Sequence, residues 1–360
     1  MNILFISPLY PPATGGAATY ARHIVDGFKK NRCVTQFHLL TEHLPNQEEL
    51  YVEDGLYIHR QLPSRISVKQ KSRLGHIGSY LQTQLWFVLH LSQLVKKYDI
   101  HLIHFHTRYR GRVFYQSLKQ SGLPILADMR DKMLDPNQLI DTASHIICNS
   151  ESVEQGALSS DFPANKVTLI PVAFTPPKAP SPEMVDKIHR KYAIKQKYIL
   201  YVGDMTYNKG VYDLIEAHQA WRHDVLLLLA GTNREGGKFE HAVRQATNVV
   251  LLGRVPAADA IGLISGAEIL VLPSRSEALG QVILEAVSLG TKVICPPNIP
   301  EYERYLPEFT LTAVTPPAIT EKLTVIWDSP TLPVYPLGRH KTEGIINSLT
   351  ELYCHLLPDC

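Results

Sequence analysis

Eleven short, β-rich apolar runs recur from one end of the chain to the other, each followed by a longer amphipathic stretch. No other feature restricts the fold as much. The runs fall at 2–7, 35–40, 101–106, 124–128, 144–148 and 167–171, then at 198–203, 225–230, 248–252, 268–272 and 292–295. Buried strands separated by helix-length segments call for parallel sheets covered on both faces. Between the two groups lies PVAFTPPKAPSPEM (171–184), whose five prolines fit a linker and not a sheet element. The expectation is therefore an α/β chain with two doubly wound, Rossmann-like domains facing a cleft. The boundaries fall at 1–172 and 173–337. The tail TEGIINSLTELYCHLL (342–357) has helical spacing at Ile345, Ile346, Leu349, Leu352 and Tyr353, and it follows a second proline-rich stretch, 329–336. Residues 338–360 are expected to cross back to the first domain.

At 360 residues, two ordinary domains with sizeable cores are affordable. Charged residues make up 19% and the net charge is +2, which excludes a general polyanion binder, so no nucleic-acid partner is expected. The five cysteines form no CxxC pair and no His/Cys cluster, as in a reducing cytosol. MNILFISPLYPP is too short, and wrongly flanked, for a leader. The apolar LWFVLHLSQLV is about half the roughly 20 residues a membrane span needs. A cytoplasmic chain is expected, any membrane contact being peripheral at the inner face.

Three stretches carry chemistry. In SPLYPPATGGAATYA (7–21), Gly15 and Gly16 lie between a strand end and a helical run. Such a pair lets backbone amides approach a phosphate at a helix start, though a plain tight turn explains it equally well. In YVGDMTYNKGVYDLIEAH (201–218), a strand ends at Gly203 and Lys209 opens a helix, against the dipole unless an anion sits nearby. In EILVLPSRSEALGQVILEAVSLG (268–290), a strand ends near Leu272, a helix begins near Gln281, and Gly290 stops it. Glu277 lies in the turn, where it can accept hydrogen bonds from sugar-like hydroxyls. Glu285 lies one turn into an apolar helix, where it can bind a vicinal diol. GTNREGGKF (231–239) looks like a phosphate loop, but its glycine and lysine spacing fails.

These motifs, in this order, resemble the retaining glycosyltransferases of family 4, which have the fold called GT-B. The resemblance rests on Glu277 and Glu285 followed by AVSLGTKVI, on VGDMTYNKG, on LLGRVPAADAIGLISGAEILVLPS and on Gly15–Gly16. It covers most of the chain and is strongest over 198–301. It implies that Glu277 contacts the donor sugar, Glu285 the nucleotide ribose, and Lys209 with the backbone at Gly15, Gly16 and Gly203 the diphosphate. It further implies that Ala278, Leu279 and Gly280 present amides to sugar and phosphate, with Arg254 and Val255 near the base. The donor is then a nucleotide sugar, UDP-linked in preference to GDP-linked. The acceptor is a carbohydrate, lipid-linked or small-molecule hydroxyl, in surface glycan or glycolipid synthesis. No cofactor is implied beyond the donor.

Three positions depart from the pattern. Asp204 stands where the family usually has an arginine, so Arg254 or Arg275 would have to supply the missing cation. LADMRD places Arg130, with Asp131 following, where a histidine is usual; Arg130 takes that catalytic place. Val172 replaces the usual asparagine of the linker. His106, at a strand end, and Asp131 are assigned to the acceptor side, and His104 to the core. No DxD triplet is present, so catalysis without a metal is expected, the leaving diphosphate being stabilised by Lys209, amides and helix dipoles. Arg60, Arg65, Lys69, Lys71 and Arg73 cluster ahead of an aromatic-containing amphipathic stretch. Either contact with an anionic membrane or a solvated loop before a core helix fits them. Two other readings stay open: an epimerase or hydrolase of nucleotide sugars, and a partner subunit that binds a nucleotide sugar without catalysis.

Overall fold

The computed structural model describes residues 1–13, 16–63, 73–107, 111–130, 134–221 and 223–357, with backbone alone at 73–76. Two compact units emerge, Met1–Phe174 with Arg339–Cys360, and Thr175–Gly338.

In the first unit the chain runs β1 (Asn2–Ile6), α1 (Gly16–Phe28), β2 (Gln36–Glu42), β3 (Leu50–Glu53), β4 (Leu56–Leu62) and α2 (Arg73–Lys97). It continues through β5 (Leu102–His106), α3 (Arg112–Gln120), β6 (Ile125–Met129), β7 (His145–Cys148), α4 (Glu151–Leu158) and β8 (Val167–Leu169). The strands form one sheet in the order β3-β4-β2-β1-β5-β6-β7-β8. All neighbours are parallel except β3 and β4. Ile3 to Ile6 of β1 are fully buried, as a central strand covered on both faces requires.

The β3–β4 hairpin was not among the expected strands, since LYVEDGLYIHRQL mixes charges with its apolar residues and lacks a continuous run. Its turn does carry a signal. Asp54 and Gly55 have φ of 43° and 80°, the two positive values that a tight hairpin turn demands.

The second unit holds α5 (Pro182–Lys191), β9 (Tyr198–Val202), α6 (Val211–Trp221), β10 (Leu226–Ala230), α7 (Gly237–Gln245), β11 (Val249–Gly253) and α8 (Ala257–Gly266). After these come β12 (Ile269–Val271), α9 (Gln281–Ser288), β13 (Lys292–Ile294), α10 (Pro300–Tyr305) and α11 (Pro316–Asp328). Its sheet is wholly parallel, in the order β11-β10-β9-β12-β13.

The last helix, α12 (Thr342–Leu356), belongs to the first unit. Tyr353 stacks on Phe28 of α1 with centroids 5.5 Å apart, and its hydroxyl lies 2.7 Å from His104 Nδ1. Asn31 donates to Thr350 Oγ1 at 2.7 Å. Gly27 leaves room for Ile346, since a Cβ there would lie 2.3 Å from Ile346 Cγ1. Val172 has a structural role in the same unit. Its carbonyl oxygen lies 2.8 Å from His340 Nδ1, and Phe174 N–H donates to the His340 carbonyl at 2.8 Å.

Candidate active site

In a doubly wound sheet, the crevice lies at the carboxyl ends of the strands where the order reverses. In the second unit that point is between β9 and β12; in the first it is between β1 and β5. The loops leaving these strands contain most of the residues singled out above.

After β9 the chain passes Gly203, makes a tight turn over Tyr207–Lys209 and enters α6 through Gly210, whose φ is 68°. A Cβ at Gly210 would lie 2.0 Å from the Pro273 carbonyl oxygen, so glycine is required both by its φ and by this close approach. The loop after β12 is tied to that turn. Arg275 N–H donates to the Asn208 carbonyl at 2.8 Å, and Ser274 Oγ to the Ser276 carbonyl at 3.1 Å. The Arg275 guanidinium donates to both Asp213 oxygens at 2.8 and 2.7 Å and lies over the Tyr207 ring, 4.4 Å from its centroid.

Between the clamped loops Lys209 Nζ meets Glu277 Oε2 at 2.5 Å. The anion that Lys209 needs at its helix start is thus Glu277 itself. Neither side chain is fully buried, so both remain reachable from solvent. Glu285 differs: among the described residues its carboxylate has no ion-pair or hydrogen-bond partner. Burial alone pushes its pKa up from 4.5 to about 7.

Two expectations need correction. Arg275 cannot supply the missing cation, because its guanidinium is taken up by Asp213 and by the Tyr207 carbonyl at 2.9 Å. Gly280 does not present a free amide, because its N–H donates to the Tyr302 hydroxyl at 3.1 Å. Its lack of a side chain is what matters, since a Cβ would lie 2.4 Å from Leu272 Cδ2. Asp204 pairs with Arg234 at 3.0 Å, a partner the sequence did not single out. Gly231, also unremarked, packs on the backbone of Gly203, with a Cβ position 1.9 Å from the Gly203 carbonyl oxygen. Arg254 and Val255 follow β11, two strands from β9, and Arg254 is exposed. Ala278 and Leu279 are buried in the loop that leads to α9.

In the first unit, Gly16 opens α1, while Gly15 and Asp131 lie outside the described residues. His106 ends β5 and is nearly buried beside Asp128 of β6, its register partner. Asp128 is wholly buried; against the burial that would raise it, Arg130 and His104 hold its carboxyl well below the usual carboxylate range. Arg130 Nη1 lies 3.5 Å from Asp128 Oδ2, and its guanidinium stacks on Tyr20, 3.4 Å from the ring centroid. His104 bridges Tyr353 and Asp128, its Nε2 lying 3.7 Å from Asp128 Oδ2. Sequence reasoning missed Asp128 and Tyr20, which orient Arg130. The signal for Asp128 was its place at a strand end, two residues before Arg130.

Residues 184–313 match the family described as Glycosyl transferases group 1. The matched stretch contains the Lys209–Glu277 pair and Glu285. Over 330 residues the chain is 24% identical to an uncharacterized glycosyltransferase of Methanocaldococcus jannaschii, covering 82% of this chain and 80% of that protein. Over 155 residues it is 30% identical to the O-antigen chain mannosyltransferase B of Escherichia coli, 38% of each. Among solved structures, the sucrose-phosphate synthase of Thermosynechococcus elongatus matches over 100% of both chains, with a TM-score of 0.79 and 20% identity. HepE of Anabaena, in complex with UDP and glucose, matches over 99% of this chain and 100% of that one, with a TM-score of 0.70 and 15% identity. The structural matches fix the fold as GT-B. The family match and the relatives support a glycosyltransferase of group 1 type.

Proposed function

We propose that the chain transfers a glycosyl group from a nucleoside-diphosphate sugar to a hydroxyl acceptor, with retention of anomeric configuration and without a metal ion. The observation that carries this reading is the Lys209–Glu277 pair, held between two clamped loops at the switch point of the sheet. A diphosphate arriving there competes with Glu277 for the Lys209 ammonium. Once displaced, the Glu277 carboxylate can accept hydrogen bonds from the sugar hydroxyls. As the bond from the anomeric carbon to the phosphate oxygen breaks, Lys209 neutralises the charge that develops on the leaving diphosphate. The Glu285 carboxylate takes the ribose diol, which supplies the partners it otherwise lacks. Arg130, held by Asp128 and Tyr20, with His106 and Asp131, serves the acceptor side.

UDP is the favoured nucleotide and GDP the alternative, since HepE of the same fold binds UDP and glucose. A role in surface glycan synthesis draws on the O-antigen mannosyltransferase relative. The test is a thermal-shift screen of UDP, GDP and their sugars, followed by transfer assays with and without chelator and NMR assignment of the product anomer. An inverted product or a strict divalent-metal requirement overturns the mechanism, and no shift with any nucleotide overturns the donor class.

One observation favours a second reading, a subunit that binds the donor without transferring it. Asp204 occupies the position where the family usually has an arginine and is itself neutralised by Arg234. Donor binding without turnover, with every acceptor tried, would select that reading.

A further inference from the structure

Helix α2 is built inside out over its middle turns. Ser79, Thr83 and Gln84 are buried against the first unit, while Ile77, Leu81, Leu85, Val88 and Leu89 are each more than half exposed. Two of the inward polar groups find local partners, Thr83 Oγ1 donating to the Ser79 carbonyl at 2.9 Å and Gln84 Oε1 accepting from Phe114 N–H of α3 at 2.9 Å, while the Ser79 hydroxyl has no hydrogen-bond partner among the described residues. At about 100° per residue the outward residues share roughly one third of the helix circumference, a stripe about 18 Å long. An isolated exposed leucine needs no explanation, but a contiguous apolar stripe does.

Charge decides what covers it. Between Asp54 and Asp99 the sequence holds no acidic residue and has Arg60, Arg65, Lys69, Lys71, Arg73, Lys96 and Lys97. The structure places Lys96 and Lys97 exposed at the end of α2. A second copy docked by two-fold symmetry would set this acid-free stretch against itself, like charge on like. An anionic surface with an apolar layer beneath it satisfies both features at once. No described helix is long and apolar enough to cross a membrane, which leaves a helix lying in the interface plane.

We infer that the exposed face of α2 inserts into the headgroup layer of an anionic lipid bilayer, with Lys96 on the phosphates. This does not depend on the proposed chemistry of the second unit. The test is flotation of the purified full chain with vesicles of phosphatidylcholine alone, and of equal parts phosphatidylcholine and phosphatidylglycerol. The expected result is binding to the mixed vesicles only, weakened by salt. Leu81→Ser with Leu85→Ser should weaken it by at least about tenfold, and Lys96→Gln should reduce the preference for anionic lipid. Both variants should keep the parent's melting temperature and nucleotide binding, because Leu81, Leu85 and Lys96 are exposed. Absence of binding to the mixed vesicles, or binding unchanged in the leucine variant, overturns the inference. So does a concentration-dependent dimer, seen by sedimentation equilibrium, that the leucine variant abolishes; the covering surface would then be a second copy.

Discussion

Glu285 stands in an environment where ionisation is costly, and the cost has a definite pH window. A carboxyl whose pKa is raised on folding favours the folded state fully only below its unfolded value, 4.5, and that advantage is lost as pH rises through about 7. Glu285→Gln stays neutral throughout. It should match the parent near pH 4 and exceed its stability at pH 8 by on the order of 2–3 kcal/mol, while binding nucleotide more weakly. Urea denaturation at the two pH values checks the first part and calorimetry the second; equal stability at pH 8 would show that the carboxylate finds a partner. The ion pair predicts an asymmetry. Lys209→Ala should cut transfer by about 10²–10³, the loss of one preorganised charge partner. Glu277→Ala, by releasing Lys209, should bind free UDP at least as tightly as the parent and still fail in transfer. Lys209 and Glu277 were legible singly, from a lysine misplaced at a helix start and a carboxylate in the turn ahead of an apolar helix. Their pairing was not, because 68 residues separate Lys209 from Glu277 and only the sheet order brings them together. Asp204–Arg234 and Gly280–Tyr302 were illegible for the same reason.

Among elements, the eleven apolar runs mark β1, β2 and β5 to β13, because buried parallel strands are apolar on both faces and need no pattern beyond that. The edge hairpin escaped because β3 is exposed along its whole length and has no buried face to announce it. A similar limit applies to the turn before α6. Gly210 looks like an ordinary helix-start glycine in sequence, yet the 2.0 Å approach to Pro273 makes it the point where two loops lock. Gly210→Ala should therefore cost about 1–2 kcal/mol from its backbone angle alone, with the clash in addition. Because the clash separates the loops carrying Lys209 and Glu277, transfer should fall although neither side chain is altered. Melting and transfer assays on the same preparation check this, and an active, destabilised variant would show that the loops are independent.

At the scale of the whole molecule, the chain leaves the first unit at Phe174 and re-enters it at Arg339. Helix α12 buries Ile345, Ile346, Leu349, Leu352 and Tyr353 there. The four aliphatic side chains, at about 1.5–3 kcal/mol each, compare with the whole stability of an ordinary domain, about 5–15 kcal/mol. A chain stopped at Gly338 should therefore lose the cooperative melting of its first unit while the second still binds nucleotide. Hydrogen exchange resolved along the sequence checks both parts; protection of β1 and β5 as in the full chain would reject it. The same connectivity sets an order of events on the ribosome. Residues 175–338 must be made before α12 exists, and at about 5–20 residues per second that interval is on the order of 10–35 s. Throughout it, the site on α1 and β5 that receives Tyr353 stays open in the nascent chain. The unit whose synthesis begins first is thus the last to be finished, and in that interval it is a natural client for a chaperone.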